Sequence, residues 1–131
     1  MKELILELQN EAAKTRRNAQ RNYYVAYGIT VIIVVSSILA TIFAGVGKGP
    51  EITAFIAAIP AALVFINTTF KFERKSAWHW KKNKRIESLI RALKYESADV
   101  GQISKEYSKL EQEMDEEWIS FGNPLKDNKT E

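Results

Sequence analysis

Apolar and charged positions separate along this chain instead of mixing. Tyr23 to Gly47 contains no charged residue, Ile52 to Phe70 contains none, and nearly every Lys, Arg, Asp and Glu lies outside those two runs. A transmembrane helix needs roughly 20 consecutive apolar residues to cross a hydrocarbon core of about 30 Å, and both runs meet that length. The first is rich in Ile and Val, which insert favourably at mid-bilayer. The second is shorter and more polar, holding Pro60 and Asn67, which a membrane tolerates where neighbouring helices or water re-satisfy the freed polar groups. The pattern predicts spans over 23–45 and 52–70. The loop 45–51, GVGKGPE, suits a tight turn, with Pro50 at the first turn of the second helix. The competing reading, a buried hairpin of a soluble protein, needs other apolar segments to wrap it, and the chain has few.

The flanks read as helices. Leu4, Leu8, Ala12, Thr15 and Ala19 recur at near-helical spacing, so residues 1–22 are expected to form an amphipathic arm running into the first span. A bend near Asn22 is allowed for in that arrangement, and an arm lying flat on the membrane surface is the competing one. After the second span neither Gly nor Pro occurs until Gly101, so the helix is expected to continue as a basic stalk to near Ser97, with Ile86, Leu89, Ile90 and Leu93 as its stripe. Asp99, with Gln102 three residues later, is a weak capping box for a further helix striped by Ile103, Tyr107, Leu110, Met114 and Trp118. Residues 71–97 carry nine Lys/Arg against three Asp/Glu, and residues 98–131 carry four against nine. Residues 71–120 are therefore expected to form an antiparallel hairpin with apolar stripes inward and opposite charges across the flanks. Residues 121–131, broken by Pro124, read as a disordered tail. The fold class that follows is an all-α membrane protein, a two-transmembrane-helix hairpin with cytoplasmic helical extensions that form an antiparallel hairpin or bundle.

Charge sets the orientation. Lys14, Arg16, Arg17 and Arg21 precede the first span, and Lys71, Arg74, Lys75, Lys81, Lys82, Lys84 and Arg85 follow the second, whereas the loop offers only Lys48, offset by Glu51. Positive charge beside span ends marks the cytoplasmic face, so both termini are expected on the cytoplasmic side. Tyr23, Tyr24, Trp78 and Trp80, together with Arg16, Arg17, Arg21 and the basic residues after the second span, are candidates for the headgroup region. Lysines interleaved with tryptophans also suit nucleic acid. Directly beside a span, the same cluster suits anionic lipid, with each cation contributing on the order of 1 kcal/mol, and nucleic acid is not expected as a partner.

Cysteine is absent and His79 is the only histidine, which leaves no ligand set for a metal site. There is no phosphate-binding glycine loop and no nucleophile elbow, so neither enzymatic activity nor a cofactor is expected. The short loop has no room for a re-entrant carbonyl filter. Within the spans, Ser37, Thr41 and Gly45 are spaced four apart with Thr30 on their face. Thr53, Ala57, Ala61 and Thr68 form a similar row on the second span, beside Asn67. Small residues at such spacing let helices approach closely. The rows either pack the two spans against each other or serve contacts between copies and border a pore. Two spans cannot enclose a conduit alone, so a channel requires a homo-oligomer.

The order of parts resembles the SLATT family, the SMODS- and SLOG-associating two-transmembrane effectors of bacterial defence. The likeness rests on the basic arm, the two spans with a short loop, the segment Trp78 to Arg85, the stretch RIESLIRALKYESADVG, and a charged helix ending in Trp118. It implies a pore-forming or membrane-disrupting effector of antiviral defence, triggered by a nucleotide-based alarm from a partner enzyme or sensor and leading to abortive infection. It carries no catalytic residues. The cytoplasmic helices either sense the signal themselves or await a separate partner. A non-conducting membrane-anchored scaffold and a small mechanosensitive-type channel are the alternatives.

Overall fold

The computed structural model describes residues 1–47 and 49–121, and these are almost entirely helical: α1 Lys2–Val46, α2 Pro50–Phe70, α3 Phe72–Tyr95 and α4 Val100–Phe121. The expected tail lies outside the described residues except for Phe121, which is 3% exposed and belongs to the core.

α1 is a single 45-residue helix, about 68 Å long at 1.5 Å per residue. The arm therefore neither bends away at Asn22 nor lies apart. Its inward positions keep one seven-residue repeat throughout. Leu8, Ala12, Thr15 and Ala19 are buried, as are Ile29 and Ser36, with Ala26, Ile33, Ala40 and Phe43 half-buried between and beyond them. α2 and α3 follow one another back along this seam. Near the turn, Phe43 and Ala44 line a cleft with Thr53 and Ala57; further down, Ala26 and Thr30 share one with Asn67 and Ser76.

The stalk does not continue α2 unbroken. Lys71 adopts a left-handed conformation, φ 50° and ψ 44°, although its N–H still donates to Asn67 O at 2.9 Å. Helical phase supplies the reason. Nine residues separate Asn67, at the α1 contact, from Ser76, at the next one, and a straight helix would place them about 180° apart. The turn at Lys71 re-phases the chain so that α2 and α3 both face the one α1 seam.

Below the break, α1, α3 and α4 make a three-helix bundle. Leu8, Ile86, Leu93, Ile103, Tyr107, Leu110 and Met114 form its core with Trp78 and Phe121. The arm is thus a third wall for what the sequence suggested was a two-helix pair. α4 is capped where expected: the Gln102 N–H donates to the Asp99 carboxylate at 2.9 Å, satisfying one of the orphan donors of a helix start.

Candidate functional site

The polar residues of α3 settle the bundle's register. Ser76 Oγ donates to Ala19 O at 2.9 Å and Asn83 Nδ2 to Ala12 O at 2.8 Å. Both α3 residues are nearly fully buried, and the alanines opposite let the helices come close enough for side chain to reach backbone. Trp78 Nε1 donates to Met114 O at 2.9 Å, tying α3 to α4. Lys81 meets Glu117 and Arg85 meets Glu113, each at 2.8 Å, so the basic and acidic flanks face one another in antiparallel register. The Arg85 hydrogen bond holds the Glu113 carboxyl below its usual range.

Two residues proposed from sequence for the headgroup region are turned inward. Trp78 is 8% exposed, its ring 4.8 Å from that of Trp118. The bundle gives its N–H an acceptor, which a buried indole needs. The Lys82 side chain is 10% exposed; its ammonium lies 3.3 Å from Glu11 and over the Trp78 ring. Arg16, Arg17, Arg21, Tyr23, Tyr24, Arg74, Lys81, Lys84 and Arg85 remain exposed, and Lys71, Lys75 and Trp80 are half-buried. The His79 ring packs beside both tryptophans, 4.8 Å from Trp78 and 5.6 Å from Trp118. Burial, reinforced by Lys82 and Arg21 and opposed by Glu11, lowers its pKa from 6.5 to about 4.

The apolar segments above the bundle have the opposite character. The most apolar windows of the two long helical stretches are 11% and 0% buried. Phe55 and Phe65 are 74% and 72% exposed, and Val31, Ile32, Val34, Val35, Ile38 and Ile42 are exposed alongside them. A core helix of a soluble domain is mostly buried, and soluble monomers rarely show so large a continuous apolar surface. Both helices are long and apolar enough to cross a membrane.

Most of the small-residue rows lie off the α1–α2 seam. Ser36, 5% exposed, and Ala40 occupy the seam with α2, while Thr30, Ser37, Thr41 and Gly45 are exposed, as are Ala57, Ala61 and Thr68; Thr53 and Asn67 are half-buried. At about 100° per residue, Thr30, Ser37, Thr41 and the α2 row fall on the same side of the α1–α2 pair, roughly a right angle from the seam, while Gly45 points away from α2. Val34, seven residues before Thr41, and Val64 are the bulky exposed residues on that shared side. Ile32, Leu39, Val46, Phe55 and Ile66 make up the opposite side. Open space surrounds Gly45, since a Cβ there would meet nothing within 4 Å. Each hydroxyl donates to its own helix: Thr30 to Ala26 O, Ser37 to Ile33 O, Thr41 to Ser37 O and Thr68 to Val64 O, at 2.7–3.0 Å. No hydroxyl proton on this face is stranded in an apolar surrounding, and the oxygens stay able to accept.

A family model described as Protein of unknown function (DUF4231) matches residues 11–101, more than half of the chain. The chain belongs to the DUF4231 family. Neither a curated protein nor a solved structure matches it. The matched stretch holds the Ser76 and Asn83 contacts, both apolar helices and the break at Lys71, and it ends at the start of α4. The DUF4231 region is therefore the α1–α2–α3 unit, onto which most of α4 packs as a further wall.

Sequence reading missed Ser76, Asn83 and the Lys82–Glu11 pair. The available signal was the matched interval of seven, Ala12 to Ala19 on one helix and Ser76 to Asn83 on the other.

Proposed function

We propose that this chain is an oligomeric inner-membrane effector of a nucleotide-signalled bacterial anti-phage system, similar to SLATT proteins, that permeabilises the membrane. In this reading α1 from Tyr23 onward and α2 form a two-span hairpin, the bundle is cytoplasmic, and subunits meet through the side bearing Ser37, Thr41, Gly45, Ala57 and Ala61. The observation that carries the reading is this side itself: small and hydroxyl residues from both helices share it, and Ser37, Thr41, Gly45, Ala57 and Ala61 are all exposed. Close approach of backbones is what such residues permit between membrane helices.

Orientation follows from the charge distribution. A cysteine introduced at Glu51, in a chain that otherwise lacks one, should react with an impermeant thiol reagent in intact cells. A cysteine at the exposed Lys84 should not. The reverse pattern would invert the topology.

Function is tested by inducible expression together with the cognate signalling partner. The inner membrane should depolarise and growth should stop; unchanged potential and growth, with the protein present in the membrane, would refute permeabilisation. The second reading is a non-conducting scaffold, favoured by the extent to which α3 ties the arm and α4 into one bundle. It predicts that an unrelated two-span hairpin can replace residues 23–70 without loss of activity.

A further inference from the structure

A pair of clefts where the apolar helices meet the charged bundle has chemistry that self-association does not use. Tyr23, Tyr27 and Trp80, with Thr30, Asn67 and Glu73, line a cavity of about 440 Å³. An adjoining cleft shares Asn67 and Glu73 and adds Lys71 and Arg74. We propose that this double cleft holds the headgroup of a zwitterionic aminophospholipid of the phosphatidylethanolamine type, its ammonium among the aromatic rings beside Glu73 and its phosphate on Lys71 and Arg74. The proposal rests on the reading of α1 and α2 as membrane spans.

Three observations carry it. The first is depth: Tyr23 and Tyr27 open the first charge-free run and Lys71 closes the second, which puts the cleft at the level where interfacial aromatics sit. The second is Glu73. It is the one acidic residue between Lys71 and Ile86 amid seven Lys and Arg. A carboxylate there repels anionic lipid, but next to aromatic faces it makes a cation site, the combination by which proteins take up alkylammonium groups. Tyr23 and Tyr27 are stacked, with centroids 6.4 Å apart, and so form one wall. The third is the placement of opposite charge next door. The Arg74 guanidinium is steadied over the Phe121 ring at 4.8 Å, and it lines the cleft that shares Glu73 with the aromatic one. Ammonium and phosphate in one headgroup match that division, whereas phosphatidylglycerol has no cation to give Glu73.

The test is native mass spectrometry of the full chain in detergent with equal concentrations of phosphatidylethanolamine and phosphatidylglycerol bearing the same acyl chains. Phosphatidylethanolamine adducts should exceed phosphatidylglycerol adducts by about fivefold or more, the scale of a desolvated cation–aromatic site. Glu73→Gln and Tyr27→Leu should each remove most of that preference, and Tyr27→Phe should keep it. Circular dichroism confirms that the variants retain their helix content. Equal retention of the two lipids, or a preference that survives Glu73→Gln, overturns the proposal. Water-soluble glycerophosphoethanolamine should not displace the lipid; displacement at equal concentration would overturn a lipid site in favour of a free ligand. Carbonate extraction of cell membranes separates the two failures. Protein that resists carbonate yet shows no preference loses the lipid site alone, whereas protein released by carbonate loses the spans and the site with them.

Discussion

Asn83 on α3 donates its side-chain amide to the main-chain carbonyl of Ala12 on α1 at 2.8 Å, and Ser76 repeats the contact with Ala19 one heptad away. Backbone acceptance of this kind requires a small residue opposite the donor, so the two alanines belong to the contact as much as the donors do. Asn83→Ala should lower the bundle's unfolding free energy by about 1–2 kcal/mol, from one lost hydrogen bond and some lost packing. Ala12→Leu should cost more, because added bulk forces the helices apart. Chemical unfolding in detergent, followed by circular dichroism, measures both, and wild-type stability for Ala12→Leu would show that the close approach is absent.

Lys82 and Glu11 make the most buried ion pair between α1 and α3, at 3.3 Å with 10% and 24% of their side chains exposed. Removing one partner leaves the other charge poorly solvated. Glu11→Gln should therefore destabilise strongly, approaching the roughly 3–5 kcal/mol seen when a buried pair is broken. The double variant Glu11→Leu/Lys82→Met should recover most of that loss, and an additive double variant would contradict the pairing.

Lys71 holds a left-handed conformation that costs an L-residue other than glycine roughly 1–2 kcal/mol. Lys71→Gly should recover about 1 kcal/mol of that in thermal melts. Lys71→Val should lower stability, since a β-branched side chain fits φ 50° poorly. Equal stability for all three would mean that the helix runs straight through this point.

His79 gives the bundle a pH dependence of definite sign. Its pKa is lowered from 6.5 to about 4 in the fold, so between those values the unfolded chain takes up a proton that the folded one refuses. The stability it contributes is fully present above pH 6.5 and is lost as pH falls toward 4. His79→Gln should flatten that part of the stability profile. An unchanged slope in the variant would assign it to other groups.

Much of the fold was legible because apolar periodicity and charge each marked one level of it. The charge-free runs located α1's upper half and α2, Asp99 marked the start of α4, and the opposed charge of residues 71–97 and 98–131 anticipated the Lys81–Glu117 and Arg85–Glu113 pairs. The break at Lys71 escaped because neither Gly nor Pro announces it. Its trace is a phase mismatch between the rows ending at Asn67 and beginning at Ser76, visible only once both are known to face α1. Trp78 and Lys82 were read outward because aromatic and basic residues after a span commonly mark the interface. Their burial depends on Met114 O and Glu11, acceptors supplied by helices distant in sequence. The Ser37, Thr41 and Gly45 row was legible as a row, but spacing alone could not say that α2 packs away from it, on Ser36 and Ala40.

The most direct test of self-association through that face is the mass of the purified chain in lipid nanodiscs, compared with Thr41→Leu and Gly45→Leu. Both substitutions keep the helix apolar and add bulk where backbones would meet. Several copies of the wild-type chain per assembly, and dissociated variants, are the expected result. Monomeric wild-type protein, or unchanged assemblies of both variants, would contradict it.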